Sequence, residues 1–215
     1  FGERDPSNNI GAFLALAHGL GLYAFLRPGP NVNAELPFFG LPRRIIMDER
    51  NQARSARGRV VPLGAPPRMF PTPSYASRHL RDETGLWFDA VAKVITPHCW
   101  PNGPVVMLQA DNEAAYYFRD AAYDADYHPD ALTDYARFLE QRYGSIDTLN
   151  AVYAAQHTGF SEVPAPRSFN AKSKEGLAPH LDWIAFREAL LCESVAATRD
   201  RLATDAPGAI AAAIR

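Results

Sequence analysis

The chain has 215 residues, 47% of them hydrophobic, and a formal net charge of −2 at neutral pH. That is enough apolar material for one sizeable core or two small ones. The near-neutral balance gives no whole-molecule attraction for nucleic acid or an anionic membrane, and no apolar run approaches the roughly 20 residues that span a bilayer.

Taken in chain order, "DPSNN" offers Ser7 or Asn8 as an N-cap for a helix that carries Ile10, Phe13, Leu14 and Ala17 on one face and ends at Gly19 and Gly21. "LYAFL" is a short apolar strand that runs into "RPGPNVNAE". Residues 43–73 are rich in proline and arginine and have no sustained period, so they are expected to form one long irregular loop. Helix returns in "YASRHLRDETGLWFDAVAKVI", with Leu80, Leu86, Trp87, Val91 and Val94 as its expected buried side. "PVVMLQ" is a second strand. "PDALTDYARFLEQRYG" and "SIDTLNAVYAA" are helices, with Pro129 at a start and Gly144 at an end. The longest helix is "LDWIAFREALLCESVAATRDRLA", with Ile184, Leu191, Val195 and Leu202 expected to line one face, and "GAIAAAI" is a third strand. Cys99 and Cys192, the only cysteines, are too few for a disulfide framework.

Helices alternating with strands that are apolar on both faces indicate an α/β chain built on a parallel sheet. In such sheets ligands and catalytic groups collect at the carboxyl ends of the strands. Two strands here end in polar clusters, "RPGPNVNAE" and "ADNEAAYY". In "QADNE", strand alternation would place Gln109, Asp111 and Glu113 on one side. Two carboxyl groups this close disfavour ionising together, which keeps a proton available for transfer. Asn112 offers a donor and an acceptor to a hydroxyl-rich ligand. In the first cluster Arg27 stands where the strand stops, Pro28 and Pro30 stiffen the turn, and Asn33 and Glu35 share a direction if the backbone stays extended. Against these readings stand simpler ones: solvated acidic groups at a strand end, and a stiff loop.

The motifs resemble those of known enzymes. "LRPGPNVNAELPFFGLP", residues 26–42, is similar to "LRPGPYICAEWDFGGLP" of the family 35 β-galactosidases, and "GPVVMLQADNE" to that family's "GPIIMVQVENE". From Tyr135 onward, "FLEQRYGSIDTLNAVYAA" and "DWIAFREALL" look more like family 42 β-galactosidases of the same clan. The resemblance implies a (β/α)8 TIM barrel, of which the chain supplies about strands three to five with their helices, an incomplete barrel forming the central portion of a catalytic domain. On that reading the loop at 43–73 lies over the active-site face.

It also implies roles. Glu113 matches the catalytic acid/base, and Asn112 the neighbouring sugar-contacting asparagine. Glu35 and Ala34 match the pair that binds galactose hydroxyls, Ala34 through its backbone, and Asn33 stands beside them in place of a cysteine. Asn31, Leu36, Asp111, Ala114 and Ala115 also depart from the family 35 pattern. These changes flank the sugar contacts, so they bear on galactose specificity more than on glycosidase chemistry. The expected activity is retaining exo-hydrolysis of β-galactosides, with the nucleophile outside these 215 residues, which alone are expected to be inactive. The alternatives are a β-glycosidase for another sugar such as a glucosaminide, or a non-catalytic sugar-binding barrel. The expected partners are an oligosaccharide or galactoside substrate and, to complete the barrel, its remaining segments or another copy of the chain.

No cofactor and no metal are expected. Asp120, Asp124, Asp126 and Asp130 lack the glycine and terminal glutamate of a calcium loop, and His98 with Cys99 lacks spaced partner ligands. The arginines of residues 43–68 are expected to wall a cleft rather than bind phosphate. Tyr116, Tyr117 and Phe118 either stack on a sugar or pack beneath the next helix.

Overall fold

The computed structural model describes residues 2–29, 36–65, 68–116, 119, 121–205 and 210–214. These fall into two compact units. The first comprises Phe1–Pro42, Arg81–Ala114 and Ser194–Arg215, and the second Arg43–Leu80 and Ala115–Glu193.

The first unit is a three-stranded parallel sheet with helical cover. Strands β1 (Ala24–Leu26), β4 (Val105–Asn112) and β5 (Ile210–Ile214) lie in the order β1–β4–β5, so β4 is central. Leu26 pairs with Leu108, and Met107 with Ile210. Helix α1 (Ile10–Gly19) begins one residue later than the proposed caps, where the Asn9 side chain accepts from the Ala12 N–H. It buries Leu14 and Ala17. Leu14 joins Phe88, Val91 and Ile95 of α3 (Arg78–Ile95), Val105, Leu108 and Ala110 of β4, and Leu202 of α6 (Lys174–Asp205) in one core. Burying a side chain such as Phe88 contributes about 1.5–3 kcal/mol.

Several expected faces are displaced. Phe13 is exposed, because α1 is apolar nearly all round and its period selects no side. On α3 the buried residues are Phe88, Val91 and Ile95, so Val91 lies as expected, while Leu86 is 65% and Trp87 40% exposed. Apolar residues at 86, 87 and 88 allow two adjacent helical stripes, and the 88–91–95 stripe is the one that meets β4. The turn from α3 into β4 is tight: a β-carbon on Gly103 would overlap the backbone of His98.

The second unit is mainly helical. Helix α4 (Pro129–Tyr143) starts at Pro129 and is capped by the His128 ring, which accepts from the Asp130 N–H. It stops at Gly144, whose φ of 72° suits glycine. Ser145 then caps α5 (Ile146–Tyr153). These helices enclose Tyr135, Leu139 and Leu149 together with Trp183, Phe186 and Leu190 of α6. Tyr127 stacks on Trp183 at 4.7 Å between centroids. Helix α6 starts before Pro179, earlier than expected, because the Ser173 hydroxyl accepts from the Gly176 N–H. Its expected face holds in part: Leu202 is buried and Leu191 and Val195 are half-buried, but Ile184 is exposed, whereas Trp183, Phe186 and Leu190 are buried.

Residues 43–73 are more ordered than a loop. They hold the short helix α2 (Arg43–Ile46) and an antiparallel ribbon of β2 (Pro62–Ala65) and β3 (Arg68–Pro71), with Leu63 and Phe70 buried. Prolines at strand ends and four-residue strands conceal the alternation in the sequence.

Candidate active site

β1 and β4 pair in parallel with Leu26 opposite Leu108, so the chain leaving β1 starts beside the last residues of β4. Arg27 directly follows β1, and its Nε donates to Gln109 Oε1 on β4 at 3.0 Å. Gln109 Nε2 in turn donates to the Asp111 carbonyl at 3.0 Å and to Asn112 Oδ1 at 3.2 Å. Gln109 and Asn112 are both buried, at 4% and 6% exposure. A buried amide left without partners would be costly, and this chain satisfies the Gln109 amide at both ends.

Strict alternation does not survive to the end of β4. The pairing with β5 shifts register between Gln109 and Asn112, and the Gln109 side chain meets that of Asn112 instead of simply sharing a side with Asp111. Glu113 follows at once, exposed, with a backbone φ of 52°. A left-handed glutamate turns the chain away from the strand at the residue whose carboxyl group is of interest. Such a conformation costs on the order of 1 kcal/mol and is found disproportionately at functional positions.

Downstream of Arg27, Gly29 is buried at φ 84°, and the Trp87 indole donates to the Pro28 carbonyl at 2.7 Å. Trp87 thus anchors the turn that leads toward Asn33, Ala34 and Glu35. Those three residues lie outside the described residues, as do Tyr117, Phe118 and Asp120. The structure therefore links Arg27, Gln109 and Asn112 by hydrogen bonds, with Glu113 next in the chain. The Arg27–Gln109 link is what sequence reasoning missed as a pair; the signal for it was present, since each residue directly follows an apolar run, "YAFL" and "VVML", that reads as a parallel strand.

The other candidate groups are engaged elsewhere. Tyr116 is half-buried, donates to the Arg187 carbonyl at 2.6 Å and lies under the Arg187 guanidinium, 4.6 Å from its centroid, a packing role. Burial pushes its hydroxyl well above the usual tyrosine range. Asp126 is buried and accepts from Ser74 Oγ and from the Arg54 and His128 N–H groups. Burial pushes its carboxyl up, against the pull of those hydrogen bonds. Asp130 is paired with Arg78. Cys99 is buried with its thiol on the Ile95 carbonyl, and burial pushes the thiol pKa up, disfavouring the thiolate. Among the described residues, no three His, Cys, Asp or Glu side chains gather in a way that could hold a metal ion, and no helix is long and apolar enough to cross a membrane.

An α/β chain with a parallel sheet whose polar side chains gather at the strand ends is the architecture of barrel glycosidases, and the comparisons agree. The model of glycoside hydrolase family 42, described as "Beta-galactosidase", matches residues 71–213, and the chain belongs to that family. The match includes the "QADNE" strand and leaves residues 26–42 outside it, so the likeness to family 35 rests on the motifs. The chain is 30% identical over 95% of its length to an exo-β-D-glucosaminidase of Thermococcus kodakarensis, covering 26% of that protein. It is 29% identical over 87% of its length to a β-1,2-glucosyltransferase of Ignavibacterium album, covering 25% of it. It thus spans about a quarter of the length of these curated relatives. Its fold matches that of the polyextremophilic β-galactosidase of the Antarctic haloarchaeon Halorubrum lacusprofundi, with a TM-score of 0.70 at 19% identity, over 98% of this chain and 30% of that one.

Proposed function

We propose that the protein is a retaining exo-β-glycosidase that releases terminal β-galactose, with Glu113 as its acid/base. The single observation behind this reading is the Asn112–Glu113 pair at the carboxyl end of the central parallel strand, in a chain of this family. Protonated Glu113 donates to the glycosidic oxygen as an oxocarbenium-like transition state forms. A second carboxylate, about 5–5.5 Å away, attacks the anomeric carbon, and ionised Glu113 then activates the water that hydrolyses the sugar–enzyme intermediate. Asn112, Asn33, Glu35 and the Ala34 backbone hold sugar hydroxyls, and contacts that tighten in the transition state raise the rate.

On this reading β1, β4 and β5 are strands three, four and five of a (β/α)8 barrel. The nucleophile follows a strand outside this sheet, and the residues at 43–73 border the active-site face. The uncovered apolar side of α1, with Phe13, Leu16 and Leu20, and the exposed Tyr23 and Phe25 beside edge strand β1, suit a neighbouring barrel strand and helix.

A second substrate is favoured by one observation: the relative matched over 95% of this chain is an exo-β-D-glucosaminidase. Nitrophenyl β-galactoside and β-glucosaminide, offered to the protein that carries this chain, separate the two. Hydrolysis of the glucosaminide alone ends the galactose assignment. Glu113→Gln is expected to lower turnover by about 10²- to 10⁴-fold. Unchanged turnover removes Glu113 from the mechanism, and saturable sugar binding with no turnover by the unsubstituted protein identifies a non-catalytic barrel.

A further inference from the structure

We infer that Arg27 and Gln109 are positioning residues that fix the polarity of the Asn112 amide, so that Asn112 meets its ligand as a hydrogen-bond donor and not as an acceptor. A guanidinium has only donors, so the group Gln109 turns to Arg27 is its oxygen. The amide nitrogen of Gln109 must then face the other way, where two acceptors receive its two hydrogens: the Asp111 carbonyl and Asn112 Oδ1. The Asp111 carbonyl reinforces the same choice, since it cannot donate. Gln109 is thus held from both sides in one of its two orientations.

Asn112 inherits the result. Its oxygen is taken by Gln109, and among the described residues no hydrogen bond reaches its Nδ2. Turning the amide over would set Nδ2 against the Gln109 N–H group, two donors face to face inside a buried cluster. The group left for a ligand at the end of β4 is therefore an N–H₂. The inference deepens the glycosidase reading, on which it rests for the ligand's identity: the sugar hydroxyl at Asn112 accepts, and keeps its own proton for another partner. In this role Arg27 and Gln109 act through Asn112.

Gln109→Glu tests this, because a carboxylate still pairs with Arg27 but offers Asn112 only acceptors, so the Asn112 amide must turn over. Affinities of galactose and of its singly deoxyfluorinated forms are measured by calorimetry in both proteins. Fluorine in place of the critical hydroxyl can accept weakly and cannot donate. Gln109→Glu is expected to lower the affinity of one deoxyfluoro sugar, relative to galactose, by about tenfold more than in the unsubstituted protein. Arg27→Lys, which keeps a donor, is expected to leave the ratio unchanged. A ratio that Gln109→Glu leaves unchanged at every position overturns the inference. A neutron structure of the unsubstituted protein decides the orientation independently, also where Gln109→Glu does not fold. Deuterons on the Gln109 nitrogen directed at Asn112 Oδ1 support it, and deuterons on Asn112 directed at Gln109 overturn it. If the protein binds and cleaves no sugar while the neutron result holds, the glycosidase reading fails and the positioning of the amide stands.

Discussion

In the second unit the Asp182 carboxylate lies beneath two tyrosine hydroxyls and a guanidinium, whereas in the first the buried polar groups near the end of β4 are the neutral amides of Gln109 and Asn112, with Glu113 exposed just after them. Asp182 accepts from Tyr143 at 2.6 Å, from Tyr153 at 2.7 Å and from Arg142 Nε at 2.9 Å, with its side chain only 3% exposed. Both oxygens accept, and the carboxylate ties α4, α5 and α6 together. At β4 the buried polar positions, Gln109 and Asn112, hold uncharged amides, while the carboxyl groups stand at half-buried Asp111 and at exposed Glu113, the latter on a left-handed backbone that works against stability. A buried carboxylate is compatible with the fold where it is saturated with donors; one intended to exchange a proton with a ligand must be left accessible.

The largest effect separating these two uses is expected at Asp182. Asp182→Ala leaves two tyrosine hydroxyls without their acceptor and is expected to cost about 2–4 kcal/mol in urea unfolding, discounted because Arg142 can regain water. A loss below about 1 kcal/mol would break the contrast. Glu113→Gly is expected to act in the opposite direction, raising stability by about 0.5–1 kcal/mol through relief of the positive φ while abolishing turnover. Destabilisation there would mean that Glu113 is part of the framework.

A smaller effect follows from Tyr143, whose hydroxyl is pushed up from 10 to about 12 by burial and by its bond to Asp182. Because the folded value lies above the unfolded one, this contribution to stability is complete below pH 10 and is lost as pH rises toward 12. Urea midpoints should therefore fall across that window, and Tyr143→Phe should flatten the fall. The smallest effect belongs to Leu86→Ala, expected within about 0.5 kcal/mol of the unsubstituted protein because Leu86 faces away from the core of its unit.

Leu86 also shows where the sequence was hard to read. The three parallel strands and the long helices were legible in their order, because runs such as "VVML" and end signals such as Pro129 and Gly144 act through a few neighbouring residues. Which face of α3 or α6 is buried was not, since both helices carry apolar residues on adjoining stripes and the choice is made by packing against residues far away in sequence. The ribbon within residues 43–73 was hidden by prolines at its ends. At the site, Asn112 and Glu113 stood out as a motif, but the use of Gln109 depends on the register shift in β4, which no local pattern announces. The "NAE" segment lies outside the described residues, so its convergence with Glu113 remains part of the proposal.

The close approach at Gly103 sets a boundary on how this stretch can diverge. With no room for even one extra carbon beside His98, a saturation library across residues 99–104 should return glycine alone at that codon. The same codon fixes where β4 begins, and with it the depth at which Asn112 emerges. Drift that is tolerated a few residues away on the outer side of α3 is closed here.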